Sequence, residues 1–168
     1  NADVNCSDSD GSNALEVSCH QGHFDVVTLL LEKGADVNAC GTEGSYPIHT
    51  AALNGHRKIA EKLIEAGAEV NSIDKKKRTV LMMAAHKGDS ETCQLLIEKG
   101  ADVNKTGQDG WTPLMLCSQY GKTECMKTLI SLGANVDAID NNENTALNTC
   151  SANGHKDAVC LLLENNAD

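Results

Sequence analysis

This chain of 168 residues has almost no aromatic side chains: Phe24, Tyr46, Trp111 and Tyr120 are the full set. Its core must therefore be assembled from Leu, Ile, Val and Ala, small side chains that suit closely packed helices. No run approaches the roughly 18 apolar residues of a membrane span, and the first residues do not resemble a signal peptide. Positive charge is scarce as well. A net charge of −10 disfavours nonspecific nucleic-acid binding, which calls for a basic face. The sequence lacks a G-x-x-x-x-G-K-S/T loop, an H-E-x-x-H helix and a G-x-S-x-G elbow. His20-Gln21-Gly22-His23 is the nearest approach to a metal pair, and its glycine breaks the helix between the two imidazoles. No catalytic residue, cofactor or metal is expected. The eight cysteines (Cys6, Cys19, Cys40, Cys93, Cys117, Cys125, Cys150 and Cys160) include no C-x-x-C pair. They read as free, buried thiols of an intracellular protein, cytoplasmic or nuclear, with a disulfide or metal framework as the alternative.

What the chain has is a strict period of 33 residues. Asn1-Ala2-Asp3-Val4-Asn5 returns as Gly34-Ala35-Asp36-Val37-Asn38, Gly67-Ala68-Glu69-Val70-Asn71, Gly100-Ala101-Asp102-Val103-Asn104 and Gly133-Ala134-Asn135-Val136-Asp137. A truncated copy follows at Asn166-Ala167-Asp168. A fixed period of this size predicts stacked units that bury their apolar faces against one another. The expected division is one array, with units 1–33, 34–66, 67–99, 100–132, 133–165 and a truncated sixth at 166–168. Because it opens on a loop without a preceding helix, the sequence reads as a monomeric piece of a longer array.

Within each unit, Gly34, Gly67, Gly100 and Gly133 sit where a left-handed residue closes a helix. An extended stretch and a turn follow, marked by Asp10-Gly11, Glu43-Gly44 and Asp109-Gly110. Lys77 and Glu143 replace that glycine, which predicts strained or altered third and fifth turns. Short helices are expected at Ala14–His20, Pro47–Leu53, Val80–His86, Pro113–Gln119 and Ala146–Ala152, with proline at a first helical position in two of them. A second, longer helix follows a glycine in every unit. Val26, Leu29 and Leu30 in the first unit, like Ile59, Leu63 and Ile64 in the second, share a face at helical spacing. Cys117 and Cys150 fall one period apart, where other units carry small residues.

Tyr46-Pro47-Ile48-His49-Thr50-Ala51-Ala52 and Thr112-Pro113-Leu114-Met115, with Gly-His at 22–23, 55–56 and 154–155, resemble the ankyrin-repeat signature over the whole chain. The resemblance implies an all-α repeat solenoid of helix-turn-helix units with short β-hairpin loops. It also implies a non-catalytic module that presents a concave surface to a protein or extended peptide, as a scaffold or adaptor. The alternative is a structural segment of a larger scaffold, channel or cytoskeleton-linked protein with no partner site of its own. In the family the signature histidine ties neighbouring loops together. Here only His49 remains, with Glu16, Met82, Met115 and Asn148 at the equivalent positions, which predicts a looser array. His23, His56 and His155 recur at one position and suggest a cap or solvent-facing structural role.

Transferred to this chain, the family's turn-tip and first-helix rule gives a face running through Ser9, Asp10, Ser12 and Gln21, then Glu43, Ser45, Leu53 and Asn54. It continues through Lys75, Lys76, Arg78, Met83 and Lys87, through Gln108, Asp109, Trp111, Gln119 and Tyr120, and ends at Asn141, Asn142, Asn144 and Asn153. Packed helices about 8–10 Å apart make such a face about 40–50 Å long. Trp111 and Tyr120 are candidate apolar anchors, since such rings bury much area with few rotors. The other reading lays Trp111 across a neighbouring turn. Charge by unit runs −5, −1, +1, 0 and −4, so Lys75-Lys76-Lys77-Arg78 forms a basic island between acidic ends. It is suited to steering an acidic segment, or is simply solvated. The expected partner-binding set is Lys75, Lys76, Arg78, Met83, Lys87, Asp109, Trp111, Gln119 and Tyr120, with a protein or peptide as partner and neither nucleic acid nor membrane insertion. The family also has loop asparagines that are hydroxylated eight residues after a helix leucine. Asn38, Asn71 and Asn104 fit that spacing, although an asparagine there also stabilises a turn.

Overall fold

The computed structural model describes residues 3–9, 11–41 and 44–167. Asp10 and Glu43 of the expected face lie outside them. The described residues form five helix pairs: α1 (Ala14–Gln21) with α2 (Phe24–Glu32), α3 (Pro47–Asn54) with α4 (Arg57–Glu65), α5 (Val80–Lys87) with α6 (Ser90–Glu98), α7 (Pro113–Gln119) with α8 (Thr123–Ser131), and α9 (Ala146–Ala152) with α10 (Lys156–Glu164). The first helices begin where the sequence places them, and three run one residue further. Their starts have local causes. Asn13, Thr79, Thr112 and Thr145 each accept a hydrogen bond from the backbone amide three residues on. In α3 Tyr46 caps nothing with its side chain, and Pro47 at the first position fixes the entry instead.

The expected β-hairpins shrink to isolated antiparallel bridges, Ser7 with Asn13 and Ile73 with Thr79, among the described residues. Each turn is closed by one repeated backbone bond, such as Asp74 N to Arg78 O at 3.1 Å or Gly107 N to Trp111 O at 2.8 Å. One bond cannot make a ladder. Lys77 (φ 56°) and Glu143 (φ 62°) do adopt the left-handed conformation that Gly11, Gly44 and Gly110 take in the other turns. A side chain there costs roughly 1–2 kcal/mol, so the anticipated strain is present.

The pairs stack in two layers. α1, α3, α5, α7 and α9 pack side by side, and α2, α4, α6, α8 and α10 do the same behind them. Small residues at one position, Ser18, Ala51, Ala84, Cys117 and Cys150, are all buried and let the first helices approach closely. Leu63, Leu96, Leu129 and Leu162 are fully buried in the second layer, each worth roughly 1.5–3 kcal/mol. Among the described residues no helix is long and apolar enough to cross a membrane.

Polar ties complete the stacking. Asn71 Nδ2 donates to Gly100 O (2.8 Å), and its Oδ1 accepts from Asp102 N (3.1 Å). Asn5, Asn38 and Asn104 repeat the same pair of bonds to the following unit. His56 Nε2 donates to His20 O (3.2 Å) and His155 Nε2 to Gln119 O (2.9 Å), so this recurring histidine clasps the end of the preceding first helix. Gly22 and Gly121 make room for it: both have positive φ, and a Cβ on either would come within 3 Å of the histidine ring.

Candidate protein-binding face

The fourth turn builds the most distinctive surface. Asp109 (φ 57°) and Gly110 (φ 80°) are left-handed in succession, which turns the chain sharply and delivers Trp111 in an extended conformation just before the Thr112 cap. The indole is half-buried, packed on the core cluster beside α7. It stands between two grooves. On the third-unit side a groove of about 300 Å³ is lined by Lys76, Arg78, Met82, Gln108, Asp109, Trp111, Leu116 and Gln119. On the fifth-unit side one of about 260 Å³ is walled by Trp111, Gln119, Asp140, Asn144, Asn148 and Asn153. The first has an apolar floor of Met82, Trp111 and Leu116 under charged rims. The second is rich in carboxamides.

Several polar groups of the second groove retain capacity. Asn148 Oδ1 is engaged in the capping box with Thr145, and Asn153 Nδ2 donates to Thr149 O (2.8 Å). The other half of each carboxamide makes no hydrogen bond among the described residues. Asp140 is buried behind them. The Asn144 amide, then that of Asn142, and the Asn144 side chain hold its carboxyl below the usual carboxylate range.

The structure brings Lys76, Arg78, Asp109, Trp111 and Gln119 together around the first groove. Lys75 is exposed beside it, its stem lying over Gly44. Arg78 is less of a free cation than expected: its Nε and Nη2 sit 2.7 and 2.6 Å from Asp74 Oδ2, and Asp74 is buried. Met83 is a correction. It is 3 % exposed, covered where α5 lies between α3 and α7, and belongs to the core rather than to the face. Lys87 is exposed and reaches over Gly55. Tyr120 is exposed but does not line the groove; its ring packs edge-on against His86, with centroids 4.7 Å apart. Ser45 pairs with Thr50, and Asn54 donates to Thr50 O, so these positions also bond within the chain. Asn38, Asn71 and Asn104 carry the inter-unit bonds described above, a role across units rather than within one turn.

Some contributors were missed from sequence. Met82 and Leu116 line the groove, although neither is among the residues that the turn-tip and first-helix rule selects. Asp74 organises the third turn, accepting the Lys76 and Arg78 amides on Oδ1. The signal existed, since Asp8, Asp74 and Asp140 share one repeat position, with Gly41 and Gly107 between them. Those glycines have a use: a side chain at 41 would collide with the Glu16 carboxylate, and one at 107 with Met82.

His49 is buried, and its Nε2 donates to Arg78 O (3.2 Å), the inter-unit tie its motif predicts. Its Nδ1 has no hydrogen-bond partner. The Tyr46 ring lies tilted against the imidazole, with centroids 5.6 Å apart. Burial pushes the His49 pKa down, opposed by Asp74 and by the backbone of Arg78 and Ser72. Met82 and Met115, at the equivalent position, are buried and replace a hydrogen bond with apolar packing.

Two helical layers with turn tips held in register by repeated side-chain ties define a helical-repeat solenoid. A family model for ankyrin repeats matches in three copies, over residues 1–74, 40–107 and 81–168. Together these span the chain, which belongs to the ankyrin-repeat family. Ankyrin repeats are generally protein–protein interaction modules and generally non-enzymatic.

Proposed function

We propose that this chain is a non-catalytic protein-binding module whose partner, an extended peptide segment, crosses the third to fifth units over Trp111. The observation that supports this most is the placement of the indole as a wall between two grooves of different chemistry. An apolar partner side chain fits the Met82–Trp111–Leu116 floor, where burial of the ring supplies affinity. The carboxamides of Gln119, Asn148 and Asn153 match the alternating donors and acceptors of a peptide backbone in the second groove. The exposed Lys75–Lys77 tip favours an acidic residue at the segment's third-unit end and contributes mainly to the rate of encounter. An asparagine hydroxylase is a second candidate partner for the Asn38, Asn71 and Asn104 loops, and it would have to release each side chain from its bonds to the following unit.

The test is affinity capture from lysate with the wild-type chain, followed by titration of the recovered partner against Trp111→Ala and Tyr120→Ala. Trp111→Ala should weaken binding by about 2 kcal/mol, with the helical circular dichroism signal retained. Tyr120→Ala, outside the groove, should change it far less. Equal affinity for Trp111→Ala and wild type would remove the groove from the site. Absence of any captured partner would favour a structural segment without its own docking face.

A further inference from the structure

We propose that Cys93 on α6 and Cys125 on α8 form an oxidisable dithiol, which a small hydroperoxide converts into a disulfide clasp between the third and fourth units. The two Sγ atoms lie 3.3 Å apart in the interior, and both residues are buried. The two sulfurs are already in contact and must close to about 2.05 Å to bond. The repeat shows how particular this pair is. One unit apart, the same two positions hold Val27 with Ile59, Ala60 with Thr92, and Met126 with Ala158, all buried. Only between the third and fourth units do two thiols meet there.

A third thiol stands by. Cys117 on α7 is buried next to this pair, with its Sγ 3.5 Å from Ala85 O. Hydrogen bonds from Cys117 and then Cys93 draw the Cys125 thiol pKa down, while that same bonding to Cys125, followed by burial, pushes Cys93 and Cys117 up. The hydrogen bonds directed at Cys125 favour its thiolate, so it is the attacking sulfur in this proposal, the thiolate being the nucleophile of such chemistry.

The reaction balances in two steps. The Cys125 thiolate attacks the near oxygen of the hydroperoxide, the O–O bond breaks, and the leaving alkoxide or hydroxide takes a proton, giving a Cys125 sulfenic acid. Cys93 sulfur then attacks the sulfenic sulfur; the S–O bond breaks, and hydroxide leaves as water with the Cys93 proton. Two thiols are oxidised by two electrons, and one hydroperoxide is reduced to an alcohol (or water) plus water. Entry requires local opening, because Cys125 is only 1 % exposed. Exposed Cys6, Cys40 and Cys160 react without that gate but have no neighbouring thiol described beside them.

The test uses a Cys6→Ser, Cys40→Ser, Cys160→Ser chain, folded and treated with hydrogen peroxide. It is then alkylated in denaturant and digested without reductant for mass spectrometry. The expected product is a linked peptide pair containing Cys93 and Cys125, absent before treatment and lost on reduction. Cys93→Ala with Cys117→Ala, which copy Ala60 and Ala84 at the equivalent positions, should stop oxidation at the Cys125 sulfenic acid, captured by dimedone. Recovery of Cys93 and Cys125 as alkylated thiols, under peroxide that fully oxidises the exposed cysteines of the parent chain, would overturn the proposal. A link from Cys125 to Cys117 instead of Cys93 would also overturn it.

Discussion

The first and third units follow one template and end in different environments. In the third, the six residues from Val80 to Ala85 are all buried. In the first, Val17, Phe24, Val26 and Leu29 remain 40–52 % exposed. The first helices, α1 and α5, start on a side-chain cap and stop at a left-handed glycine in both, so local propensity does not account for the contrast. Neighbours do: α5 is flanked by α3 and α7, whereas α1 packs against α3 alone among the other first helices. Burial here is conferred pairwise, unit on unit, as expected for a quasi-one-dimensional array.

The strongest way to break this comparison is to remove one leucine at one repeat position in both places. Leu96→Ala, with no exposed surface, should cost about 3 kcal/mol in urea unfolding, whereas Leu30→Ala, only partly buried, should cost about half as much. Equal losses would mean that burial within the pair outweighs stacking. Removing a polar tie comes next. Asn71→Ala deletes two bonds to the fourth unit and should lower stability by about 1–2 kcal/mol, measured in the same assay. A stabilising change follows: Lys77→Gly relieves a left-handed side chain and should raise stability by about 0.5 kcal/mol, since glycine's greater freedom when unfolded offsets part of the gain.

The last prediction concerns sign. His49 has a folded pKa below its unfolded value of about 6.5. The unfolded chain therefore binds the proton more readily, and stability falls as pH drops from about 6.5 towards the folded value. Urea midpoints at pH 7.5 and 5.5 should show this loss, and His49→Gln should shrink it. A difference unchanged in His49→Gln would assign the acid sensitivity to other groups.

Repeat spacing, helix starts and the small buried positions were legible because each depends on residues close in sequence or one period apart. Lys77 and Glu143 announced their left-handed turns through a missing glycine. The face was less legible. Met83 looked like a surface residue from its register, yet it is buried on α5, which lies between α3 and α7. Arg78 looked like a free charge, and only the fold shows Asp74 folded back beneath it. The Cys93–Cys125 contact joins two non-equivalent positions of adjacent units, an offset of 32 rather than 33 that a search for exact repeats passes over. Trp111 was recognisable as unusual, but its role as a wall depends on what the flanking units place on each side.

The asparagine ties also bear on how the molecule yields to tension. Each joins a unit only to the one that follows, and among the described residues none spans three units. A pull on the ends therefore does not meet one common lock. Units can give way one at a time, each losing only the ties to its neighbours. Each such release frees 33 residues, roughly 110 Å of extended chain, so the period of the sequence also sets the step in length that each unit contributes under tension.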